Sequence, residues 1–354
     1  MTEIPAHINA LLQQGTVIPA HPLALDAHLK IDRENQAMLT RYYIASGAGG
    51  VAVGVHTTQF EIRNPGVDLL DPVLKITAEE IAHAELQRPF IKVAGIVGRT
   101  DAALREVEVA LKYGYHLGLV SMGGLPSYSE SELIKRIETI AERIPVFGFY
   151  LQPAVGGRVL SYQFWRDFAD IPNVHAIKIA AFNRYQTIDV VRAVCHSQRR
   201  NEIALYTGND DNIVADLLTP YRFLCNGKMV EKKIVGGLLG HWAVWTKRAV
   251  EIFEEIKKCF EHPDNHLQEM LALGAQITDM NAAVFDVNNS FRGSIAGIHE
   301  ALRRQGLMKG IWCLNPDDKL SPGQAEEIER VSSDYPHLTD DNFVKDFLQS
   351  QQTN

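Results

Sequence analysis

Eight short runs of apolar, mostly β-branched residues recur along this 354-residue chain at nearly even spacing. They begin at residues 16 (TVIPA), 50 (GVAVGV), 90 (FIKVAGIV), 117 (LGLVSM), 146 (VFGFYL), 174 (VHAIKIA), 203 (IALYTG) and 234 (IVGGLL), so the steps are 34, 40, 27, 29, 28, 29 and 31 residues. Most runs are continuous rather than alternating, as strands covered on both faces require. Between them lie segments of helical period. TDAALREVEVALKYG puts Leu104, Val107 and Leu111 on one face with Thr100 or Asp101 placed to cap, and SESELIKRIETIAER does the same with Leu133, Ile137 and Ile140. About 30 residues make one strand, one crossover helix and two loops, so eight units in succession predict a TIM (β/α)8 barrel.

The rival architecture, a doubly wound open sheet, usually carries a glycine-rich dinucleotide or phosphate loop after an early strand. Neither G-x-G-x-x-G nor G-x-x-x-x-G-K-S/T occurs in this sequence. After the eighth run, HWAVWTKRAVEIFEEIKKCFEH reads as the last barrel helix, ending near Pro263. Residues 1–262 are therefore expected to form the barrel, and 263–354 a C-terminal helical appendage: helical to about residue 310, broken at LNPDDKLSPG, then one more helix.

Composition narrows the function classes. At 46% hydrophobic, 22% charged and net charge −8, the chain reads as a soluble metabolic protein, and its sign argues against nucleic acid or an anionic membrane as partner. No window approaches the ~20 apolar residues of a membrane span, and the start lacks a charged region followed by an apolar run, which makes the cytoplasm the expected compartment. Cys195, Cys225, Cys259 and Cys313 form no C-x-x-C pair and read as reduced packing residues.

In a (β/α)8 barrel the chemistry sits at the carboxyl ends of the strands. Those positions hold His21 after strand one; His56, Thr57 and Thr58 after strand two; Ser121 to Gly124 after four; Tyr150 to Pro153 on five. Lys178 lies on strand six, Gly208, Asp210 and Asp211 after seven, and His241 after eight. Lys178 is the most informative, because NVHAIKIAAF sets an ammonium among apolar residues, where burial lowers an amine's pKa and yields a nucleophile able to form a Schiff base. The plainer alternative is a lysine that snorkels to the strand end or pairs with a carboxylate. Lys92, in FIKVAGIV, lies near the amino end of its strand, the end that serves stability. Tyr150, one strand away from Lys178, is expected to move protons for it, although a strand-end tyrosine is ordinarily a packing residue. Thr57 and Thr58 suit a small carboxylate. His21, His56 and His241 at strand ends raise a metal site as an alternative. The H-x-H spacing of barrel metallohydrolases is missing, since His21 and His28 are seven apart, and no metal or organic cofactor is expected.

Taken together, VHTTQF, FYLQPAVGG and HAIKIA resemble the dihydrodipicolinate synthase and N-acetylneuraminate lyase family of class I aldolases, over roughly residues 15 to 310. That family has a G-T-T-G-E turn after strand two, a Y-N-x-P motif on strand five and a lysine in an I-G-I-K context on strand six. The resemblance implies Lys178 as the imine-forming lysine and Tyr150 as general acid/base. It implies Thr57 and Thr58 on the carboxylate of a 2-oxo acid, with Gly208, Asp210 and His21 as further substrate contacts. It also implies an aldehyde-type second substrate and a homo-oligomer, tetramer or dimer. The departures are specific: Gln59 and Phe60 replace the glycine and glutamate of the turn, Gly123 and Gly124 stand where a relay tyrosine is found, and Val155 replaces an arginine, with Arg158 as candidate substitute. They argue against lysine biosynthesis through aspartate semialdehyde and for a bulkier or less acidic acceptor. They also leave open a barrel that binds a metabolite as a sensor without turnover.

Overall fold

The eight apolar runs become eight strands. A computed structural model of the chain describes residues 2–261 and 266–352. Its strands are β1 (Val17–Pro19), β2 (Gly50–Val53), β3 (Ile91–Ile96), β4 (Leu117–Ser121), β5 (Val146–Leu151), β6 (Val174–Ala180), β7 (Ala204–Thr207), β8 (Tyr221–Cys225), β9 (Lys228–Lys232) and β10 (Ile234–Leu239). Eight of them form one parallel sheet in the order β1-β10-β7-β6-β5-β4-β3-β2, and a parallel bridge between Ala20 and Ala52 draws the two ends together. The fold is a (β/α)8 TIM barrel with a C-terminal helical extension. The hairpin of β8 and β9 escapes the sequence reading, because YRFLCNGKMVEKK is charged and too polar to count as a buried run.

The chain divides into two compact units. The first, Met1–Thr16 with Ile91–Leu238, contains β3 to β10, though β10 ends one residue beyond it. Its helices follow the expected periods. In Glu130–Ala141 the buried face includes Leu133, Ile137 and Ile140, and Ser129 closes a capping box with Glu132. In Thr100–Lys112 the fully buried stripe is Ala103, Val107 and Ala110, with Leu104 and Leu111 only half-buried beside it, and the expected Thr100 or Asp101 cap is replaced by Arg99 with no side-chain bond.

The second unit, Val17–Phe90 with Leu239–Asn354, holds β1, β2 and the C-terminal helices. The boundary read at residues 262 and 263 lies outside the described residues. Helices Leu267–Val284 and Ser294–Arg304 cover the expected helical stretch. Two helices then follow the break rather than one, Gln324–Asp334 and Asp341–Gln352, because Pro336 interrupts the pattern with a 3-10 turn. The extension is tied in by polar side chains. Asp340 accepts bonds from the Tyr42 hydroxyl at 2.6 Å, Gln305 Nε2 at 2.8 Å and the Lys247 amide at 3.0 Å, and Gln59 Oε1 accepts from the Leu314 amide at 2.6 Å.

Candidate active site

In the first unit, Lys178 pairs in register with Phe149 on β5 and Tyr206 on β7, and partners in a parallel ladder share a face. The amine lies 4.4 Å from the Phe149 ring centroid, and the side chain is only 7% exposed. Burial lowers its pKa from 10.5 to about 8, opposed by the negative charge of buried Asp210. At neutral pH about one amine in ten is then uncharged, against roughly one in three thousand at the ordinary value. The lysine stem needs Gly208: a Cβ there would sit 2.5 Å from Lys178 Cε and 2.8 Å from Ala180 Cβ. Lys92, by contrast, donates to the Tyr113 carbonyl at 3.1 Å, and its pKa is lowered by burial alone.

Tyr150 is not where the spacing predicts. Val146 pairs with Val174, which would bring Tyr150 opposite Lys178, but the ladder skips His175 and pairs Phe147 with Ala176. One extra residue in β6 shifts every later pair, and a one-residue slip exchanges faces. Tyr150 therefore pairs with Ile179 and shares the side of Gly148, whose Cβ would strike the Phe168 ring at 2.5 Å. Its ring packs 5.0 Å from Trp165 on the helix Tyr162–Asp170, and its hydroxyl accepts from the Leu160 amide at 3.3 Å and donates to the Leu160 carbonyl at 3.4 Å. Burial pushes the phenol pKa up. Tyr150 thus lies one pair past Lys178 and packs in the helix layer, bonded to the Leu160 backbone.

Arg158 donates from Nη1 to the carbonyls of Leu125 and Tyr128 at 3.2 and 3.0 Å, so this nitrogen holds the loop after β4. The residue that sequence reasoning missed is Asp216, in the short helix Ile213–Leu218. It is fully buried and gathers Thr207, Asn209, Asn212 and Arg184 around its carboxylate. Nothing marks it in the chain, because its partners come from separate elements.

In the second unit, the hydroxyls expected to cradle a carboxylate serve the backbone. Thr57 Oγ1 donates to the Ala20 carbonyl at 2.9 Å. Thr58 Oγ1 donates to the His21 carbonyl at 2.7 Å and accepts from the Gly54 amide at 3.0 Å. His21 is fully buried, with Nδ1 on the Pro22 carbonyl at 2.8 Å and Nε2 on Thr40 Oγ1 at 2.9 Å; burial lowers its pKa to about 4. Both ring nitrogens are bonded within the protein, and the ring is neutral at pH 7. Gln59 takes the family glycine's place at φ 68°, a conformation that strains a side-chain-bearing residue.

No protein-family model matches the chain. Over 205 residues it is 27% identical to the N-acetylneuraminate lyase of Citrobacter koseri, a match that takes in 57% of this chain and 65% of that protein. The chain is similar to proteins of the dihydrodipicolinate synthase and N-acetylneuraminate lyase family. It spans less than two thirds of the length of the curated relative it matches. Solved structures of dihydrodipicolinate synthase from Bacillus clausii (TM-score 0.73, 17% identity, 93% of this chain and 99% of that one) share the fold. So does N-acetylneuraminate lyase from Fusobacterium nucleatum (TM-score 0.70, 17% identity, 91% and 99%). In this chain Lys178 keeps an apolar strand context while Tyr150, one pair further along, packs toward the helix layer.

Proposed function

We propose that this chain is a class I, Schiff-base-forming lyase or aldolase acting on a 2-oxo acid of pyruvate type, with a sugar-acid-like or other aldehyde-derived partner. The observation that carries the reading is Lys178, a buried amine whose pKa burial lowers against the opposing charge of Asp210, given room by Gly208. Similarity to a lyase supports it.

The neutral amine adds to the keto carbon, forming a C–N bond as the carbonyl oxygen takes up a proton. Loss of that hydroxyl as water leaves an imine, which when protonated draws electrons from the adjacent bond and so makes or breaks C–C, or eliminates water. Asp210, rather than Tyr150, is the group proposed to take the proton from the adding amine and return it to the leaving hydroxyl. No metal or organic cofactor enters the proposal. The resemblance adds a homo-oligomeric, cytoplasmic enzyme; among the described residues, no helix is long and apolar enough to cross a membrane.

Borohydride reduction in the presence of pyruvate, read by peptide mass spectrometry, is expected to leave a stable adduct on Lys178. An adduct on another lysine, or none across a panel of 2-oxo acids, overturns the reading. The bonds that hold Tyr150, Thr57 and Thr58 to the backbone favour a second reading, a sensor that binds a sugar acid without turnover. Thermal stabilisation by such a ligand that persists in Lys178→Ala, with no turnover by the parent protein, would select it.

A further inference from the structure

The turn after β7 hangs on a single buried carboxylate. Asp216 accepts from Thr207 Oγ1 at 2.7 Å, Asn209 Nδ2 at 2.9 Å, Asn212 Nδ2 at 3.0 Å and the Tyr221 hydroxyl at 3.5 Å, and it pairs with the Arg184 guanidinium. Thr207 Oγ1 in turn accepts from the Asn209 amide at 3.1 Å. Asn209 is fully buried; its Oδ1 accepts from the Phe182 amide in the turn after β6 at 2.9 Å, and its Nδ2 donates to Thr187 Oγ1 in the helix Arg184–His196 at 3.2 Å. The turns that follow β6 and β7 are thereby joined into one piece. Gly208, packed on the Lys178 stem, and Asp210, whose charge acts on the Lys178 amine, both lie on it.

Burying a carboxylate is costly and its hydrogen bonds recover that cost only when the geometry is good. A loop could be closed by neutral groups; a carboxylate with four neutral donors and a guanidinium fixes it far more narrowly. We infer that Asp216 is a positioning residue for the Lys178 chemistry, holding the Gly208–Asp210 turn against the Lys178 stem so that the Asp210 charge keeps acting on the amine. The inference rests on the Lys178 reading for its purpose, but not for its test.

The test compares Asp216→Asn with the parent protein by the pH dependence of Lys178 modification with acetic anhydride, quantified on the Lys178 peptide. This readout needs no turnover. The substitution keeps the side chain's shape but points an amide at groups that themselves donate, so the turn loosens and Asp210 withdraws. Charges that face Asp216 are Arg184 and Asp211. Losing an opposite charge lowers an amine's pKa, so the midpoint is expected to move to lower pH. Asp210→Asn should move it the same way, and the double variant no further. With pyruvate and borohydride, trapping should fall about 10- to 100-fold. A folded Asp216→Asn protein with the parent's midpoint overturns the inference. Should that variant fail to fold, Asn209→Ala serves instead with the same expected shift, and an unmoved midpoint in it is equally fatal. Absence of trapping in the parent with the midpoint shift present sinks the Schiff-base function and leaves Asp216's role standing.

Discussion

Lys178 and Tyr150 stand on adjacent strands and project from opposite faces of the sheet, because β6 carries one more residue than β5 between the same two pairs. Their sequence separation suits two partners in a site; their register puts one in the barrel interior and the other against Trp165.

Tyr150→Phe therefore tests the register directly. The variant loses a hydroxyl bonded to the Leu160 backbone, which should cost about 1 kcal/mol of stability by denaturant unfolding. Borohydride trapping by pyruvate should stay within about twofold of the parent. A hundredfold drop in trapping at unchanged stability would return the phenol to the chemistry.

The pH dependence of Lys178 has a defined sign. Its folded-state pKa of about 8 lies below the ordinary 10.5, so between those values the unfolded chain binds the extra proton, and stability rises with pH through that window. Lys178→Met should accordingly be more stable than the parent at pH 7, by on the order of 1–3 kcal/mol, with the gain shrinking between about pH 8 and 10.5. The trapping rate of the parent should climb about tenfold per pH unit below 8 and flatten above it. A rate flat from pH 6 to 9 would contradict the lowered pKa.

At Gly208 a single methyl bears on both reactivity and folding. Gly208→Ala places a carbon 2.5 Å from Lys178 Cε, which can move, but also 2.8 Å from Ala180 Cβ, which moves only with the β6 backbone. Trapping should fall at least a hundredfold, and the unfolding midpoint should drop as well, because the Ala180 contact is relieved only by a backbone shift. Equal trapping in a folded variant would show that the stem has another path.

Gln59 offers a comparison of strain with hydrogen bonding in the second unit. Its backbone sits at φ 68°, at a cost of about 1–3 kcal/mol, and its Oε1 holds the Leu314 amide. Gln59→Ala keeps the strain and loses the bond, and should destabilise by about 1–2 kcal/mol; Gln59→Gly loses both and should fall between Ala and the parent. The order of their melting temperatures decides whether that bond anchors the segment around Leu314.

The barrel was legible because burial on both faces leaves a local signature. Each of the eight runs, from Val17–Pro19 to Ile234–Leu239, falls within a residue or so of an observed strand, since a continuous β-branched run has few other ways to hide its side chains. Lys178 was legible for the same reason: a charge inside such a run stands out against its neighbours. The hairpin from Tyr221 to Lys232 was not, as its exposed, charged strands carry no such contrast. His21, Thr57 and Thr58 were placed at the right strand ends, yet their hydrogen bonds go to the backbone and to Thr40, which no spacing reveals.

What the sequence determined by itself was the succession of βα units and the burial of an amine in the sixth strand, both consequences of hydrophobicity repeated at short range. What only the tertiary structure decided was which side chains that amine meets. The skipped pair at His175 turned Tyr150 away, and Asp216 drew Thr207, Asn209 and Arg184 together from three elements. Register and hydrogen bonding between distant segments depend on how strands align in space, and a one-residue slip leaves the hydrophobic pattern that encodes the strands unchanged.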